Sequence, residues 1–515
     1  MSRVVVVGAG MGGLAVAARL ARSGHRVTIL EQSATWGGKL GWYERAGFAF
    51  DTGPSLLTLP TVYRELFSST GRPVQELVEL VPVPGATSYR YPDGTRVELP
   101  NLDRTGVVRE LDSALGPGTG AAWSHFLDRA ERIWDATRGP FLTSPLTGPI
   151  DLVRQSHRVS DLRAVAPWRT LAGLGRQYLS DERARMLLWR YATYTGSDPR
   201  RAPAALAVVP YLEQAFGSWY VTGGLRRLGT ALVGRCGELG VTLQLGAPVG
   251  RISISGGRVD GVVLADGHRL AADVVVSDVD AAHLYGELLD PRVAAPWPRV
   301  LPALPRGRTT RPDRRTTRSS SGVVLLLALN GRTPRMAHHT VLFGADDTSG
   351  YAAEFDALFA RDPAPVDRPT IYISAPDDPG LRPDDGHESW FVLVNAAPHG
   401  AGEPGDGTLD WRAPGLAERY ADHVLAEMAA RGLEVRDRLV WRVVRTPADL
   451  AEETGAVGGS IYGSSSNGVR SAFLRPANRS RLAGLFLVGG SAHPGGGLPL
   501  VALSARIVSD LIGPA

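Results

Sequence analysis

The sequence predicts an α/β fold built around a parallel sheet whose strands come from distant parts of the chain. Near the start, residues 4–22 read as a buried strand, a glycine-rich turn and a helix. Residues 485–512 show the same order at the other end, and residues 237–278 alternate apolar runs with glycine turns. Continuous β-branched runs of this kind are typical of strands buried on both faces, as in parallel sheets.

The first turn has the spacing of a dinucleotide-binding motif, G-x-G-x-x-G, directly after the apolar run of residues 4–7. Such glycines permit a tight turn, close approach of a pyrophosphate and packing of the next helix on the strand. That helix, predicted over residues 14–22, directs its amides and its positive dipole end at the phosphates. We therefore assign six residues to cofactor binding: Gly8, Ala9, Gly10, Met11, Gly12 and Gly13.

A carboxylate follows the second predicted strand, residues 26–30. Glu31 stands about twenty residues beyond the glycines, where a carboxylate accepts hydrogen bonds from ribose hydroxyls. Its charge would repel a 2′-phosphate, so NADP is disfavoured and Glu31 joins the predicted cofactor site.

The next segment favours FAD over NAD. WGGK (36–39) and FDTGP (50–54) stand where a plain dehydrogenase domain would start its next helix, and Lys39 is the only lysine among the 56 basic residues. The alternative is an ordinary glycine turn with a solvated lysine. A ligand bound by both ends of the chain has to be long and extended, which favours FAD. The predicted FAD contacts here are Gly37, Gly38, Lys39, Asp51, Gly53 and Pro54.

The C-terminal segment supplies the matching half of this site. A short strand at residues 485–488 leads into glycines that allow close approach, and a helix over residues 500–512 directs its positive end at an electron-rich group. His493 is the candidate catalytic residue, lining the flavin or the substrate channel; the alternative is a loop histidine without chemical duty. The predicted FAD contacts are Gly489, Gly490, Gly497, Leu498 and Pro499.

At 515 residues the chain exceeds one hydrophobic core, so more than one domain is expected. A nucleotide-binding domain and a discontinuous α+β substrate domain follow from the order of the motifs. The first comprises residues 1–75, 220–285 and 471–515, and the second comprises residues 76–219 and 286–470. Within the second, residues 119–201 read as apolar helices suited to a lipophilic pocket.

Composition excludes several other classes of protein. No stretch reaches the roughly 18 apolar residues of a spanning helix, and the first apolar run is too short and too glycine-broken for a secretory signal. The single cysteine, Cys236, rules out internal disulfides and cysteine-ligated metal centres. The pair His338-His339 lacks zinc-ligand spacing, so no metal is predicted. These features predict a cytoplasmic protein.

Positive charge is concentrated in one segment. The net charge is +4, yet residues 306–318 contain six arginines. One interpretation is a solvated loop; the other is attraction to anionic lipid headgroups, worth about 1 kcal/mol per residue near such a surface. The second interpretation predicts a peripheral position on the inner face of the plasma membrane. Nucleic-acid binding is not expected, because the arginines lack interleaved aromatic residues and an accompanying motif.

Together the motifs resemble those of the FAD-dependent carotenoid desaturases of the bacterial phytoene desaturase type, within the flavin amine oxidase-like superfamily. The resemblance covers nearly the whole chain. It rests on GAGMGG, Glu31, WGGK, FDTGPS, RYATYTGSDPRRAPA (190–204), WYVTGGLRRL (219–228) and VGGSAHPGGGLPLVALSARIVSDLI (488–512). It implies a Rossmann-type FAD domain and contact of Val249 with the adenine. One departure is Ala492, where many members carry Ser or Thr before His-Pro, so a hydroxyl near the flavin is not implied.

The resemblance implies desaturation of a long isoprenoid, phytoene or a later carotenoid, by hydride transfer to flavin and loss of a proton from the adjacent carbon. Such chemistry requires an oriented apolar chain and exclusion of water. Glu213 is a candidate acid or base, with a surface or capping carboxylate as the alternative. The exact substrate, the electron acceptor and the oligomeric state remain open.

Three alternatives stay open beside this function. The first is a 1-hydroxycarotenoid 3,4-desaturase-type or other carotenoid oxidase. The second is a flavin amine oxidase or a retinoid saturase-like enzyme. The third is a non-enzymatic, FAD-stabilised partner of a carotenoid enzyme.

Overall fold

The computed structural model describes residues 1–146, 165–290, 318–468 and 475–515. The strands are β1 (Arg3–Val7), β2 (Arg26–Leu30), β3 (Trp42–Arg45), β4 (Phe48–Asp51), β5 (Leu80–Pro82), β6 (Ala86–Arg90), β7 (Arg96–Pro100), β8 (Trp219–Val221), β9 (Thr242–Gln244), β10 (Val249–Ser255), β11 (Arg258–Leu264), β12 (Arg269–Ala271), β13 (Val274–Ser277), β14 (Ser321–Asn330), β15 (His339–Leu342), β16 (Ile371–Ser374), β17 (His387–Ala396), β18 (Leu439–Arg445) and β19 (Leu485–Leu487).

The helices are α1 (Met11–Arg22), α2 (Thr61–Thr70), α3 (Arg104–Leu115), α4 (Thr119–Thr137), α5 (Leu171–Tyr178), α6 (Glu182–Arg190), α7 (Val208–Phe216), α8 (Arg226–Glu238), α9 (Ala281–His283), α10 (Thr348–Leu358), α11 (Leu416–Ala430), α12 (Pro447–Thr454) and α13 (Leu498–Ile512). No helix within the described ranges is both long enough and apolar enough to cross a membrane.

A five-stranded parallel sheet, in the order β19-β13-β1-β2-β9, forms the centre of the first layer. Its strands come from the N-terminal, middle and C-terminal parts of the chain. Val4 of β1 pairs with Val274 on one side and with Val27 on the other. The buried valines of β1 contribute about 1.5–3 kcal/mol each by leaving water. The α/β, Rossmann-type assembly from three segments is thereby confirmed.

Both faces of this sheet are covered, as continuous apolar strands require. Helices α1, α2, α8 and α13 bury one face in a common core. The three-stranded antiparallel sheet β10-β11-β12 and the short helix α9 cover the other face. Cys236 of α8 lies buried in the first of these cores.

A second, seven-stranded sheet runs in the order β18-β14-β17-β16-β15-β6-β7. Its pairs are antiparallel except β15 with β6. Helix α11 packs on one face, and the helices α3 to α7 pack against the other in the largest core. The strands β6 and β7 form an antiparallel hairpin at one edge of this sheet.

Two helices begin earlier than the sequence indicated. Helix α1 starts at Met11 because Gly12 and Gly13 already adopt helical geometry in the glycine turn. Helix α13 starts at Leu498, directly after Gly497 with its φ of 106°, and carries Pro499 in its first turn, where proline costs no hydrogen bond. The arginine-rich residues 306–317 lie outside the described residues. Arg318, which ends that run, forms an isolated bridge with Ser464.

Candidate active site

A cavity of about 820 Å³ is lined by residues of both sheets. It brings together most of the predicted site residues from the two ends and the middle of the chain. Those in its wall are Gly8, Gly10, Met11, Gly12, Glu31, Gly37, Gly38, Lys39, Gly53, Pro54, Val249, Gly490, His493, Gly497, Leu498 and Pro499. Those behind the wall are Ala9, Gly13, Asp51 and Gly489.

The N-terminal turn presents backbone rather than side chains to this cavity. Gly10 caps α1 without a side chain of its own, and the amides of Gly10 and Gly13 hydrogen-bond to the Asp278 carboxylate at this turn. A Cβ at Gly13 would clash with the carbonyl oxygen of Gly8, so close packing requires glycine. The Glu31 carboxylate accepts from the amides of Ala9 at 2.7 Å and Ser33 at 2.9 Å. The turn and the acid therefore form one rigid unit.

Arg226, the first residue of α8, holds the WGGK loop in place. Its guanidinium donates to the carbonyls of Trp36 at 2.7 Å and Leu40 at 2.6 Å, and lies 3.5 Å from the centroid of the Trp36 ring. Asp51 in turn accepts from the amides of Leu225 at 2.7 Å and Arg226 at 2.9 Å. Burial raises the pKa of Asp51 to about 7. The structure thus places Asp51 at the start of α8, where it positions the arginine that supports the loop.

Two cations lie in the cavity wall with backbone carbonyls as partners. Lys39 Nζ donates to the carbonyls of Ser460 at 2.8 Å and Ile461 at 2.7 Å. Arg475, which the sequence motifs did not single out, donates to the carbonyl of Tyr462 at 2.9 Å. Burial lowers the pKa of Lys39 and lowers the pKa of Arg475 to about 10. Neither cation has a carboxylate within ion-pair distance in the described part of the chain. The positive charges of Lys39 and Arg475 are therefore available to attract an anion bound in the cavity.

Asp278 is a second residue that the sequence analysis missed. It directly follows β13 and lines the cavity, and a Cβ at Gly12 or Gly489 would clash with its carboxylate. Burial raises the pKa of Asp278 to about 8. Its position just beyond a strand at the carboxyl edge of the parallel sheet is the signal that could have found it.

His493 lies in the wall with its imidazole buried. Its Nε2 donates to the carbonyl of Ser144 at 3.0 Å, and its own carbonyl accepts from Asn478 at 2.8 Å and Ser504 at 2.8 Å. Burial lowers the pKa of His493 to about 4, so the ring is neutral near pH 7. These contacts anchor the loop before α13. A catalytic role for His493 stays a prediction.

Glu213 is not the surface or capping carboxylate that was the alternative interpretation. It lies on α7, lines the cavity and accepts from the hydroxyl of Tyr191 at 2.7 Å. Burial raises the pKa of Glu213. The apolar residues 204–209 also belong to this region: Ala204 and Ala207 are buried, and Leu206 and Val209 line the cavity.

Residues 11–310 match the family described as flavin containing amine oxidoreductase, and the chain belongs to this family. The family is one of flavin-containing oxidoreductases, so the protein uses a flavin cofactor. Within the family, the chain is of the carotenoid desaturase type, as the following similarities indicate.

The chain is 34% identical to the hydroxyneurosporene desaturase of Cereibacter sphaeroides, over 99% of this chain and 97% of that protein. It is 33% identical to the 4,4'-diapolycopene oxygenase of Methylomonas, over 99% and 98%. It is also 33% identical to the zeta-carotene-forming phytoene desaturase of Myxococcus xanthus, over 99% and 93%.

Solved structures of amine oxidases share the fold. Putrescine oxidase with bound putrescine superposes with a TM-score of 0.62 at 15% identity, over 99% of each chain. Cyclohexylamine oxidase from Brevibacterium oxydans superposes with a TM-score of 0.60 at 16% identity, again over 99% of each chain. At this level of identity the likeness concerns the fold alone.

Proposed function

We propose that the protein is an FAD-dependent oxidoreductase that desaturates a long isoprenoid, a carotenoid such as phytoene or a later intermediate. The observation that carries this proposal is the cavity itself, in which a glycine turn with buried cations adjoins a wall of aliphatic and aromatic side chains. The hydroxyneurosporene and phytoene desaturases, similar along the whole chain, are named for carotenoid substrates.

FAD is supported over a smaller flavin by the residues at the glycine end. The glycine turn at the start of α1 permits close approach of a pyrophosphate to the backbone, and Glu31 lies beside this turn, where ribose hydroxyls would reach it. Val249 stands at the start of β10 in the same wall, where contact with the adenine is proposed. Lys39 and Arg475 would balance the charge of the pyrophosphate or of a reduced flavin.

The chain's own contribution to the reaction is orientation and exclusion of water. Flavin, when bound, supplies the hydride acceptor. Val324, Phe391 and Leu393 of the seven-stranded sheet line the same cavity as Leu206 and Val209. A polyene held between such side chains presents its C–H bonds in a restricted geometry, which supplies much of the rate enhancement.

Pigment analysis tests the proposal. The full chain, loaded with FAD, is expressed in a host that supplies phytoene, neurosporene or their hydroxylated derivatives. A gain of conjugation, seen as a red shift of the absorption bands and the loss of hydrogen by mass spectrometry, is expected. Absence of such a gain with every one of these polyenes, in a flavin-loaded and folded protein, would contradict the proposed function.

A second candidate function is oxidation at a terminal carbon. The similarity to the 4,4'-diapolycopene oxygenase is as high as that to the desaturases, which favours including this reaction. Mass spectrometry distinguishes the two, because desaturation removes hydrogen whereas oxygenation adds an oxygen atom.

We also propose that the two predicted domains have the boundaries given above.

We further propose that the protein is cytoplasmic and binds the inner face of the plasma membrane peripherally. The arginine run and the lipophilic substrate support the membrane contact. Flotation with anionic vesicles but not with zwitterionic ones is expected. Equal flotation with both, or none, would contradict an electrostatic contact.

A further inference from the structure

A charged cluster lies in the otherwise apolar part of the cavity. Arg190, Tyr194, Glu213 and Tyr372, here called the polar cluster, all line the cavity. The aliphatic and aromatic side chains of the same wall are Leu206, Val208, Val209, Leu212, Val324, Phe391 and Leu393. A hydrocarbon needs no hydrogen-bonding partner, so charged groups in such a wall require an explanation of their own.

Tyr191 binds one oxygen of the Glu213 carboxyl group, and the other oxygen has no partner among the described residues. The hydroxyl of Tyr191 donates to Oε1 at 2.7 Å. The second oxygen, Oε2, is buried and has no hydrogen-bond partner among the described residues. Burying such an atom unpaired costs free energy that a bound donor would recover.

Arg190 supplies unused donors beside this carboxyl group. Its guanidinium lies 5.2 Å from the ring centroid of Tyr194 and 5.7 Å from that of Tyr372, so aromatic faces hold the cation. It donates to the hydroxyl of Thr193, while its buried Nε lacks a partner in the described chain. No carboxylate of the described residues lies within ion-pair distance of it.

Tyr372 joins the polar cluster to the cofactor part of the cavity. Its hydroxyl contacts Ser55 Oγ at 2.6 Å and Nδ1 of His339 at 2.8 Å. Ser55 follows Gly53 and Pro54, which belong to the proposed FAD contacts. The polar cluster is therefore part of the same site, on the side where the apolar substrate is proposed to lie.

We propose that the polar cluster recognises the hydroxyl group of an oxygen-bearing polyene, so that the substrate class is a hydroxylated carotenoid rather than a hydrocarbon one. A hydroxyl is able to accept from Arg190 and donate to the free oxygen of Glu213 at once. A cation and a carboxyl group that line the same cavity suit a neutral oxygen better than a charged ligand. This inference rests on the proposed function, because it concerns the substrate of that same site.

The test compares a matched pair of polyenes, neurosporene and 1-hydroxyneurosporene, with the FAD-loaded full chain in detergent micelles. Binding is followed by quenching of tryptophan fluorescence, and turnover by the gain in conjugation. The wild type is expected to prefer the hydroxylated polyene by about 10- to 100-fold, the range of a lost hydrogen bond to a charged group.

Variants assign this preference to the polar cluster. Glu213→Leu is expected to abolish the preference, measured as the ratio of the dissociation constants of the two polyenes. Glu213→Gln keeps the volume and one hydrogen-bonding oxygen, and is expected to retain part of the preference. This variant keeps the inference testable if the leucine variant misfolds. Tyr211→Phe is the matched control, because Tyr211 lies on the same helix but donates to Glu131 at the surface.

Equal binding of the two polyenes by the wild type would overturn the inference, as would an unchanged preference in Glu213→Leu. A role of Glu213 as proton acceptor would lower turnover of both polyenes in Glu213→Gln and leave the preference intact, which also overturns it. Failure of the proposed function is distinguishable, because it abolishes conjugation gain with both polyenes whereas the binding preference is measured without turnover.

Discussion

At the scale of single residues, buried charge marks the part of the cavity where we propose that the flavin binds. Lys39 and Arg475 donate to backbone carbonyls, and Asp278 lies among the glycines of the N-terminal turn. Buried ions are costly unless a partner neutralises them. A bound dinucleotide neutralises the two cations, and protonation removes the charge of Asp278.

Lys39→Met should weaken FAD binding about tenfold or more, because a charged partner of the cofactor is lost. Titration by flavin fluorescence measures the change, and Lys39→Arg should retain most of the affinity. Amine acylation offers an independent readout, since Lys39 is the only lysine and the α-amino group is an internal control. Equal labelling of Lys39 with and without FAD would contradict its position in the flavin site.

Asp278 should make the flavin-free protein less stable as the pH rises. Its folded-state pKa of about 8 exceeds the ordinary 3.8, so the folded state binds the proton more tightly than the unfolded state. Stability from this group is complete below the unfolded pKa and is lost between about pH 4 and pH 8, by at most about 1.4 kcal/mol per pH unit. Urea unfolding of Asp278→Asn should show a gain over the wild type that grows across this window; a gain independent of pH would refute the assignment.

At the scale of elements, helix α8 supports the WGGK loop through its first residue. Asp51 caps the start of the helix through two amides, and the first helical residue, Arg226, reaches two carbonyls of the loop. The loop lies in the cavity wall whereas the helix lies in the core behind it. A β-hairpin residue, a helix start and a glycine loop thus form one connected unit.

Arg226→Ala should loosen this loop and weaken FAD binding about 10- to 100-fold with little loss of helix content, because two charged hydrogen bonds and a ring contact disappear together. Arg226→Lys should not restore the affinity, since an ammonium lacks the planar fork that spans both carbonyls. Arg227→Ala is the matched control, as its side chain is exposed on the same turn. Equilibrium titration with FAD measures all three, and equal losses at positions 226 and 227 would count against the proposal.

At the scale of the whole molecule, the proposed flavin site lies where three separate parts of the chain meet. The parallel sheet takes two strands from the first part, two from the middle and β19 from the last, and the cavity lies where their loops converge. A ligand that spans this junction stabilises every strand that contributes to it.

FAD should therefore raise the thermal midpoint more than either of its halves does. Ligand binding stabilises by about 2.7 kcal/mol at a hundredfold excess over the dissociation constant, and riboflavin or AMP alone touches only part of the junction. Thermal unfolding of the flavin-free protein with each ligand at equal concentration measures this. Protection by riboflavin equal to that by FAD would indicate a site that does not use the pyrophosphate contacts.

Much of the fold was predictable from local patterns. Residues only a few positions apart determine the local conformation of several elements. These elements are the apolar strands β1, β2 and β19, the turn between β6 and β7, and the glycine turns before helices α1 and α13. The start of α1 was less predictable, because Gly12 and Gly13, which serve the turn, also form the first helical turn.

Local sequence was enough to specify the α/β class and the glycine turn, because backbone conformation and hydrophobic period are short-range properties. The convergence of Asp278, Arg475 and the polar cluster on the same cavity depended on the folded chain. Glu213 meets Tyr191 from a separate helix that begins more than a dozen residues later, and Lys39 meets Ser460 from the far end of the chain. Burial and partner choice of this kind leave no periodic mark in a sequence, so only packing could decide which charges face the ligand.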